Sequence, residues 1–463
     1  MVSLKKLSKN NLAKKRNTSL SSHLKLFVKS FFQQHHLARP TLLVAYSGGL
    51  DSSVLLHSLH QLQRKIPFHL HAMHVHHGLS DNANDWAAFC DKTCADLGVP
   101  FESYQVSVDG NSGLGTEAAA RAERYQALNT AAVDFICLAH HQDDQAETLL
   151  LQLARGAGVK GLAGMAQVDL ERRLIRPFLH CSRADLLAYA EQYRLQWIDD
   201  ESNADTAYDR NFIRHALMPV FHQRYTSITN TLARSATHMA EASELLNDLA
   251  ELDAEHVVDV AQQYGVIQLE QLVLLSQARQ GNVIRFWLAS NRLQTPSAAL
   301  LTQILQQLKS EKPDASIQIK VADNLHVMRY KKRAYLVNQP ENMPPINLTW
   351  QGEKIVILPN RSRLLFTKKK GEGFAYQRGG SNIELRIKNR EGGESFRPAL
   401  GRPRRGLKAI MQSSQIPPWL RVQLPLIFMN DRLVIIPDIG VDAEMQAESH
   451  EMGLIVSWVH AIE

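Results

Sequence analysis

Cysteine is scarce in this chain: four residues in 463, at Cys90, Cys94, Cys137 and Cys181. None forms a C-x-x-C pair, so neither a zinc ribbon nor a disulfide framework is indicated, and reduced thiols in a cytoplasm fit best. No uninterrupted apolar run approaches the ~20 residues that a bilayer-crossing helix needs, which argues against a membrane partner. A Walker-type G-x-x-x-x-G-K-S/T string is missing too, and with it the usual kinase and GTPase phosphate loop. Acidic residues are missing from residues 1–50, which hold nine Lys/Arg. The first twenty residues are basic, polar and without an apolar face, and read as a disordered tail. No apolar h-region follows, so a secretory signal is not expected.

What is present is ordinary for a soluble globular protein: 44% hydrophobic and 21% charged residues, at a length that suggests two to four domains. The formal charge of +6 hides an asymmetry. Besides the basic start, residues 361–408 hold fourteen Lys/Arg against four Glu, so the rest of the chain is acidic. Two concentrated basic regions on an acidic remainder point to a polyanion, with nucleic acid favoured because phosphate neutralisation dominates affinity there.

Leu24, Phe27, Val28 and Phe31 sit at helical spacing and mark the start of the folded part. Residues 41–46, 70–75, 101–108 and 135–139 then read as strands, and 51–63, 83–97, 116–131 and 143–154 as helices. This alternation predicts an α/β domain built on a Rossmann-like parallel sheet covered by helices, with ligands at the carboxyl ends of the strands. Residues 230–337 begin with helical periodicity and end in strand-like 317–321 and 325–337. The Pro-containing 339–345 reads as a linker. After it, short strands are expected at 355–358, 364–367, 383–387, 433–436 and 454–459. The expected layout is a tail over 1–20, a catalytic domain over 21–229, a mainly helical middle domain over 230–338 and a small α+β domain over 346–463.

Four polar strings lie where such a sheet places its ligands. Ser47-Gly48-Gly49-Leu50-Asp51-Ser52 follows a strand and opens a helix. Its glycines let the backbone approach an anion, and free N–H groups at the helix start would face it. Asp51 beside a polyphosphate is repulsive unless magnesium lies between them. An Asp-capped helix after a loop is the bland alternative. The second string, 139–148, carries His140, Asp144 and Glu147 at i, i+4 and i+7. The carboxylates suit magnesium, the imidazole a phosphate or a proton, and Asp143 a helix cap. The third places Glu117, Arg121 and Arg124 on one helical stripe, which by itself reads as an ion-paired face. The fourth sets Arg210 and Arg214 one turn apart, suited to phosphate or a substrate carboxylate. His74 and His76 share one face of a strand with His77 beyond its end, a poor metal cluster. Gly156, Gly158 and Gly161 form a G-x-G-x-x-G string that follows a helix rather than a strand, so a dinucleotide fingerprint is rejected. Towards the C-terminus, the run 397–405 with Lys408 is an expected basic loop whose Arg397, Arg402, Arg404, Arg405 and Lys408 suit RNA phosphates. Trp419 reads as core, with base stacking as the alternative.

The string at 47–52 resembles the pyrophosphate-binding loop of the N-type ATP pyrophosphatases, the PP-loop superfamily with an adenine nucleotide α-hydrolase-like fold. Within it the chain resembles the tRNA(Ile)-lysidine synthetase family. The matching strings are HVHHGL at 74–79, TEAAARAERY at 116–125, AHHQDDQAET at 139–148, RGAGVKGL at 155–162, RPF at 176–178, DESN at 200–203 and RNFIRH at 210–215. GGESFRP at 392–398, IPPWLR at 416–421 and IPDIGVD at 436–442 extend the likeness, in order, over most of residues 38–445. The N-terminal tail lies outside it.

The resemblance implies a ligase that uses ATP and Mg2+. It would adenylate C2 of the wobble cytidine in a CAU-anticodon tRNA(Ile) and let free L-lysine displace AMP, giving lysidine. It places ATP on residues 47–52, catalysis on Asp51, His140, Asp144, Glu147 and Arg210, and metal on Asp51 and Asp144. Glu117, Arg121, Arg124 and Arg214 would face substrate. A cytoplasmic enzyme follows from it, and it leaves room for a homodimer. A related ATP-dependent tRNA thiolase and a non-catalytic RNA-binding relative are the rival readings.

Overall fold

The computed structural model describes residues 20–76, 82–106, 116–261, 264–310, 317–339, 344–376, 384–397, 401, 403–414 and 416–459, with backbone alone at 116–120 and 202–203. Residues 1–19 of the expected tail, His77, Arg402 and part of the 339–345 linker therefore lie outside the described residues, as does the side chain of Glu117, while Leu20, expected in the tail, is helical and buried. The chain forms two compact units, residues 1–245 and 246–463.

In the first unit a helix over residues 20–34 (α1) precedes β1 (Thr41–Ala45), α2 (Leu50–Gln63), β2 (His69–His76), α3 (Ala83–Leu97), β3 (Phe101–Gln105), α4 (Thr116–Asn129), β4 (Phe135–Cys137) and α5 (Gln142–Ala154). The short α6 (Val159–Leu162), β5 (Val168–Asp169) and β6 (Leu174–Ile175) follow, then α7 (Arg183–Tyr193). A 3-10 turn (Glu201–Ala204), α8 (Asp209–Phe212), a π-turn (Ile213–Leu217) and α9 (Met218–Arg224) lead into α10 (Ile228–Val257). The expected boundary at 229/230 falls at the start of α10, and the division between the compact units falls inside it.

The sheet order is β3-β2-β1-β4-β6-β5, parallel except for β5. Alternation along β1 sends Leu42 and Val44 into one core with Leu24, Val28, Leu55, Leu59 and Leu186, and Leu43 into a second core with Met73, Leu128 and Ile136. Apolar side chains on both faces of the strand explain why 41–45 reads as a continuous hydrophobic run. The chain runs from β1 outward to β2 and β3, then returns to place β4 on the other side of β1. That reversal opens a crevice at the carboxyl ends of β1 and β4, where ligands of such sheets bind.

In the second unit, α12 (Gln277–Ser290) and α13 (Ala298–Leu308) pack on an antiparallel sheet. The sheet runs β7 (Val258–Asp259), β8 (Val266–Gln268), β11 (Arg333–Asn338), β10 (Leu325–Tyr330), β9 (Gln318–Lys320), with the four-residue α11 (Leu269–Leu272) after β8. The expected progression from helices to strands is found. Strand-rich residues follow: β12 (Asn347–Trp350), β13 (Ile355–Ile357), β14 (Arg363–Lys370), β15 (Leu385–Lys388), β16 (Ser395–Phe396) and β17 (Arg405–Gly406). After them come α14 (Leu407–Ser413), α15 (Pro418–Gln423), β18 (Leu426–Met429), β19 (Arg432–Ile436), β20 (Gly440–Val441) and β21 (Met452–Val459). Trp419 is core, packed edge-on against Tyr335 and Tyr330 with ring centroids 5.1 and 6.2 Å away. Among the described residues no helix is long and apolar enough to cross a membrane.

Candidate active site

The loop after β1 turns at Gly48, whose φ of +82° suits glycine. A Cβ there would lie 2.7 Å from Ile198 Cδ1, and the Gly48 carbonyl accepts the Ile198 amide at 2.9 Å. The turn is thus pinned from below by a residue that its own motif does not contain. Gly49 begins α2 without any side-chain cap. Ser47 and Ser52 hydroxyls lie 3.0 Å apart, and Ser52 Oγ also donates to the Gly49 carbonyl. Ser53 and Tyr46, bonded to each other at 3.4 Å, brace the loop from the core side. His74 Nδ1 donates to the Tyr46 carbonyl at 2.9 Å, and its ring stacks on His76. These histidines support the loop entry. Among the described residues no three His, Cys, Asp or Glu side chains converge as a metal-binding group.

The loop after β4 supplies the other wall. His141 is buried, and its Nε2 lies 3.5 Å from both Asp51 Oδ2 and Asp144 Oδ2. The His141 amide donates to Asp144 Oδ2 at 2.9 Å, so Asp144 caps the helix that carries it. Asp143 instead accepts the Arg183 amide at the start of α7. Burial opposes a charge on His141, but the carboxylates of Asp144, Asp51 and Asp143 outweigh it and raise its pKa. Burial likewise opposes ionisation of Asp144, yet His141 and Arg210 hold its carboxyl down at about 2.

Arg210 and Arg214 do not stand alone. Arg210 Nε donates to Glu147 Oε2 at 3.0 Å and its Nη2 to Asp144 Oδ1 at 2.8 Å. Arg214 reaches Glu147 Oε1 at 2.7 Å and Asp144 Oδ1 at 3.3 Å. Two buried carboxylates on one face of α5 thus bind two guanidiniums one turn apart, a charge-compensated cluster. His140 turns elsewhere: its Nδ1 accepts from Arg176 Nε at 3.2 Å, which fixes that nitrogen as the bare one. Burial, with Arg176 and Arg210 nearby, lowers the His140 pKa to about 3. Tyr125 of α4 hydrogen-bonds Arg176 and carries the Arg121 guanidinium at 5.4 Å from its ring centroid. Arg124 lies in electrostatic reach of Asp200.

Asp144 has no unshared oxygen: Oδ1 takes both arginines and Oδ2 takes the His141 amide. Asp51 differs, because its Oδ1 is buried and without a hydrogen-bond partner. A magnesium ion held by one carboxylate and phosphate oxygens fits that orphaned atom. All four cysteines are buried and free, and burial pushes the Cys90, Cys94 and Cys181 thiols up to about 12. None is poised as a thiolate.

Comparison with known proteins agrees with this geometry. Residues 18–221 match the PP-loop domain family, residues 267–335 the TilS substrate binding domain and residues 385–458 the TilS substrate C-terminal domain. The tRNA(Ile)-lysidine synthase of Nitrosomonas europaea is 39% identical over 426 residues, spanning 90% of this chain and 91% of that one. The chain belongs to the tRNA(Ile)-lysidine synthase family. The synthase of Coxiella burnetii is 36% identical over 417 residues, covering 89% of this chain and 91% of its own. That of Aromatoleum aromaticum is 37% identical over 426 residues, covering 91% and 97%. As a member of the tRNA(Ile)-lysidine synthase family, the chain is a PP-loop ligase that uses ATP to modify tRNA.

The five cations singled out near the C-terminus separate in the structure. Arg397 Nη1 pairs with Glu444 at 2.8 Å, and Arg404 Nη2 reaches Asp442 at 3.3 Å. Arg405 and Lys408 are exposed, and Arg402 lies outside the described residues. Reading the sequence missed His141, Arg176, Ile198 and Asp442. His141 had a signal, since it stands three residues before Asp144 at a strand-to-helix junction, the spacing of a reciprocal cap. Ile198 and Asp442 had none, because their partners lie far away in the chain.

Proposed function

We propose that the crevice between the two loops binds ATP and transfers AMP to the C2 oxygen of the wobble cytidine, C34, of CAU-anticodon tRNA(Ile). The observation that carries this reading is the uncapped start of α2 after the Gly48 turn, with the unpartnered Asp51 Oδ1 beside it. Residues 47–52 receive the phosphates through backbone N–H groups and the Ser47 and Ser52 hydroxyls. Asp51 would hold magnesium, whose part is to offset phosphate charge.

The cytidine oxygen forms a bond to the α-phosphorus while the bond to pyrophosphate breaks. The adenylated oxygen is then a leaving group, which the cytosine carbonyl oxygen alone is not. The ε-amine of free lysine bonds to C2, the C2–O bond breaks, AMP departs and the amine loses its proton. His140, neutral because of its low pKa and with its Nδ1 held by Arg176, presents a fixed ring to the nucleotide. Glu147, Asp144, Arg210 and Arg214 form a preorganised patch of both charge signs that suits an amine on one side and phosphate on the other. Glu117, Arg121 and Arg124 are assigned to substrate. The reading also takes residues 21–229 as catalytic and 230–338 with 346–463 as the tRNA-holding parts of a cytoplasmic enzyme, with a homodimer as its assembly.

Incubation with ATP, radiolabelled lysine and CAU-anticodon tRNA, followed by nucleoside mass analysis, tests the reading. Labelled lysine in the C34 nucleoside is expected. A sulfur-containing nucleoside, or loss of activity on replacing all four cysteines, would favour a thiolase instead.

A further inference from the structure

Asp442 follows β20 and is fully buried, with 0% of its side chain exposed. Its Oδ2 accepts the Arg397 amide at 3.2 Å and Arg404 Nη2 at 3.3 Å. Its Oδ1 accepts Arg432 Nη2 at 2.8 Å and the Glu444 amide at 3.3 Å. The Ala443 amide adds a bond to the Arg397 carbonyl, and Arg404 Nε holds Ser395 Oγ at 3.2 Å. Arg397 immediately follows β16 and Arg404 immediately precedes β17, and these two-residue strands pair Phe396 with Arg405. One carboxylate therefore ties together the two ends of the excursion between β16 and β17. Four donors on a buried carboxylate match what such a charge requires, and removal of the charge would leave Arg404 without its anion and Arg432 with Glu444 alone.

We infer that Asp442 is a positioning residue for tRNA: it staples the end of β16 to the start of β17, so that the exposed Arg405 of β17 and Lys408 of α14 meet phosphates already aligned. This rests on the reading of that surface as RNA-binding. Arg397, Arg404 and Arg432 share the two carboxylates of Asp442 and Glu444, so most of the charge of Arg397 and Arg404 is already offset and they release few counterions on binding. Arg405 and Lys408 are the cations that neutralise phosphate. Ordering the staple in advance removes a side-chain immobilisation cost from the binding step.

The experiment measures affinity of the full-length protein for CAU-anticodon tRNA at several salt concentrations, with steady-state kinetics alongside. Asp442→Asn is expected to weaken binding about tenfold, without lowering the slope of log affinity against log salt, and to raise KM for tRNA without changing kcat. Arg404→Gln, a milder change, is expected to weaken binding while moving the slope by less than about one unit. Arg405→Gln with Lys408→Gln is expected to lower the slope by about one to two units. Wild-type affinity in a folded Asp442→Asn protein overturns the staple. So does an Arg404→Gln slope loss as large as that of a phosphate contact, even where Asp442→Asn fails to fold. An unchanged slope in the Arg405/Lys408 double variant instead removes the RNA-binding reading of the surface, a failure distinct from that of the staple.

Discussion

Two residues, Gly48 and Asp51, define what the site demands of single side chains, and a third, His57, reports on stability. Gly48 holds φ at +82° with Ile198 directly beneath it. Gly48→Ala should cost about 1–3 kcal/mol and raise KM for ATP, because both the backbone strain and the contact with Ile198 act on the phosphate turn. Thermal melting with and without ATP checks this, and an unshifted Tm would show that the turn relaxes freely. Asp51 carries the one buried carboxylate oxygen in the crevice without a partner among the described residues. Asp51→Asn should slow tRNA-dependent pyrophosphate release by roughly 100-fold or more while leaving tRNA affinity near wild type. Release at the normal rate would remove Asp51 from the reaction. His57 of α2 lies away from the chemistry and reports on stability. Burial, with help from His60 and Arg64, lowers its pKa in the fold, where its Nδ1 meets the Tyr189 hydroxyl at 3.0 Å. A group with a depressed folded pKa gives its full contribution above the unfolded value, near 6.5, and loses it as pH falls towards the folded one. Unfolding free energy should therefore decline on acidification below about pH 6.5, and His57→Gln should flatten that decline. An unaltered acid limb in the variant would assign it to other groups.

At the scale of elements, the sequence was most legible where one strand or helix carries its own signal. β1, α2, β2, α3 and β4 lie within a residue or two of their expected bounds, since apolar runs and glycine punctuation are local features. The glycine turn between β1 and α2 was legible for the same reason. The ion cluster was not. Arg210 and Arg214 were expected at a phosphate or a substrate carboxylate, yet each is bonded to Asp144 and Glu147 more than sixty residues away. Helical spacing shows that Asp144 and Glu147 share a face, but not which cations meet them. His140 was grouped with those carboxylates by the same spacing, although it precedes the helix and bonds to Arg176. Trp419 raised an either-or in the sequence that α15 resolves by packing it on Tyr330 and Tyr335. Trp419→Ala should destabilise the second unit by about 3–5 kcal/mol, read by chemical denaturation. Weakened tRNA binding with unchanged stability would mean instead that the indole stacks on a base.

At the scale of the whole molecule, the charge asymmetry of the sequence acquires a structural meaning only in part. The dense basic stretch 361–408 was read as one of two basic regions pointing to a polyanion, with RNA phosphates expected at Arg397, Arg402, Arg404, Arg405 and Lys408. Asp442 and Glu444, outside that stretch, bind Arg397 and Arg404 as well as Arg432, while Arg405 and Lys408 are exposed, as Arg404 also is. A count of cations thus overstates the charge offered to RNA, because neutralisation by distant acids is invisible to a window along the chain. Three folded parts after the tail were expected from the sequence, whereas the chain forms two compact units. The position of the division was not legible, because α10 runs through it without a break.

The account centres on AMP being passed to RNA from a pocket built by the Gly48 turn and Asp51. Incubation of the enzyme with α-phosphate-labelled ATP and CAU-anticodon tRNA, in the absence of lysine, tests this most directly. The account predicts label covalently attached to C34, released as AMP when lysine is added, and absent with Asp51→Asn. Label appearing on lysine instead, or pyrophosphate release with the RNA left unlabelled, would contradict it.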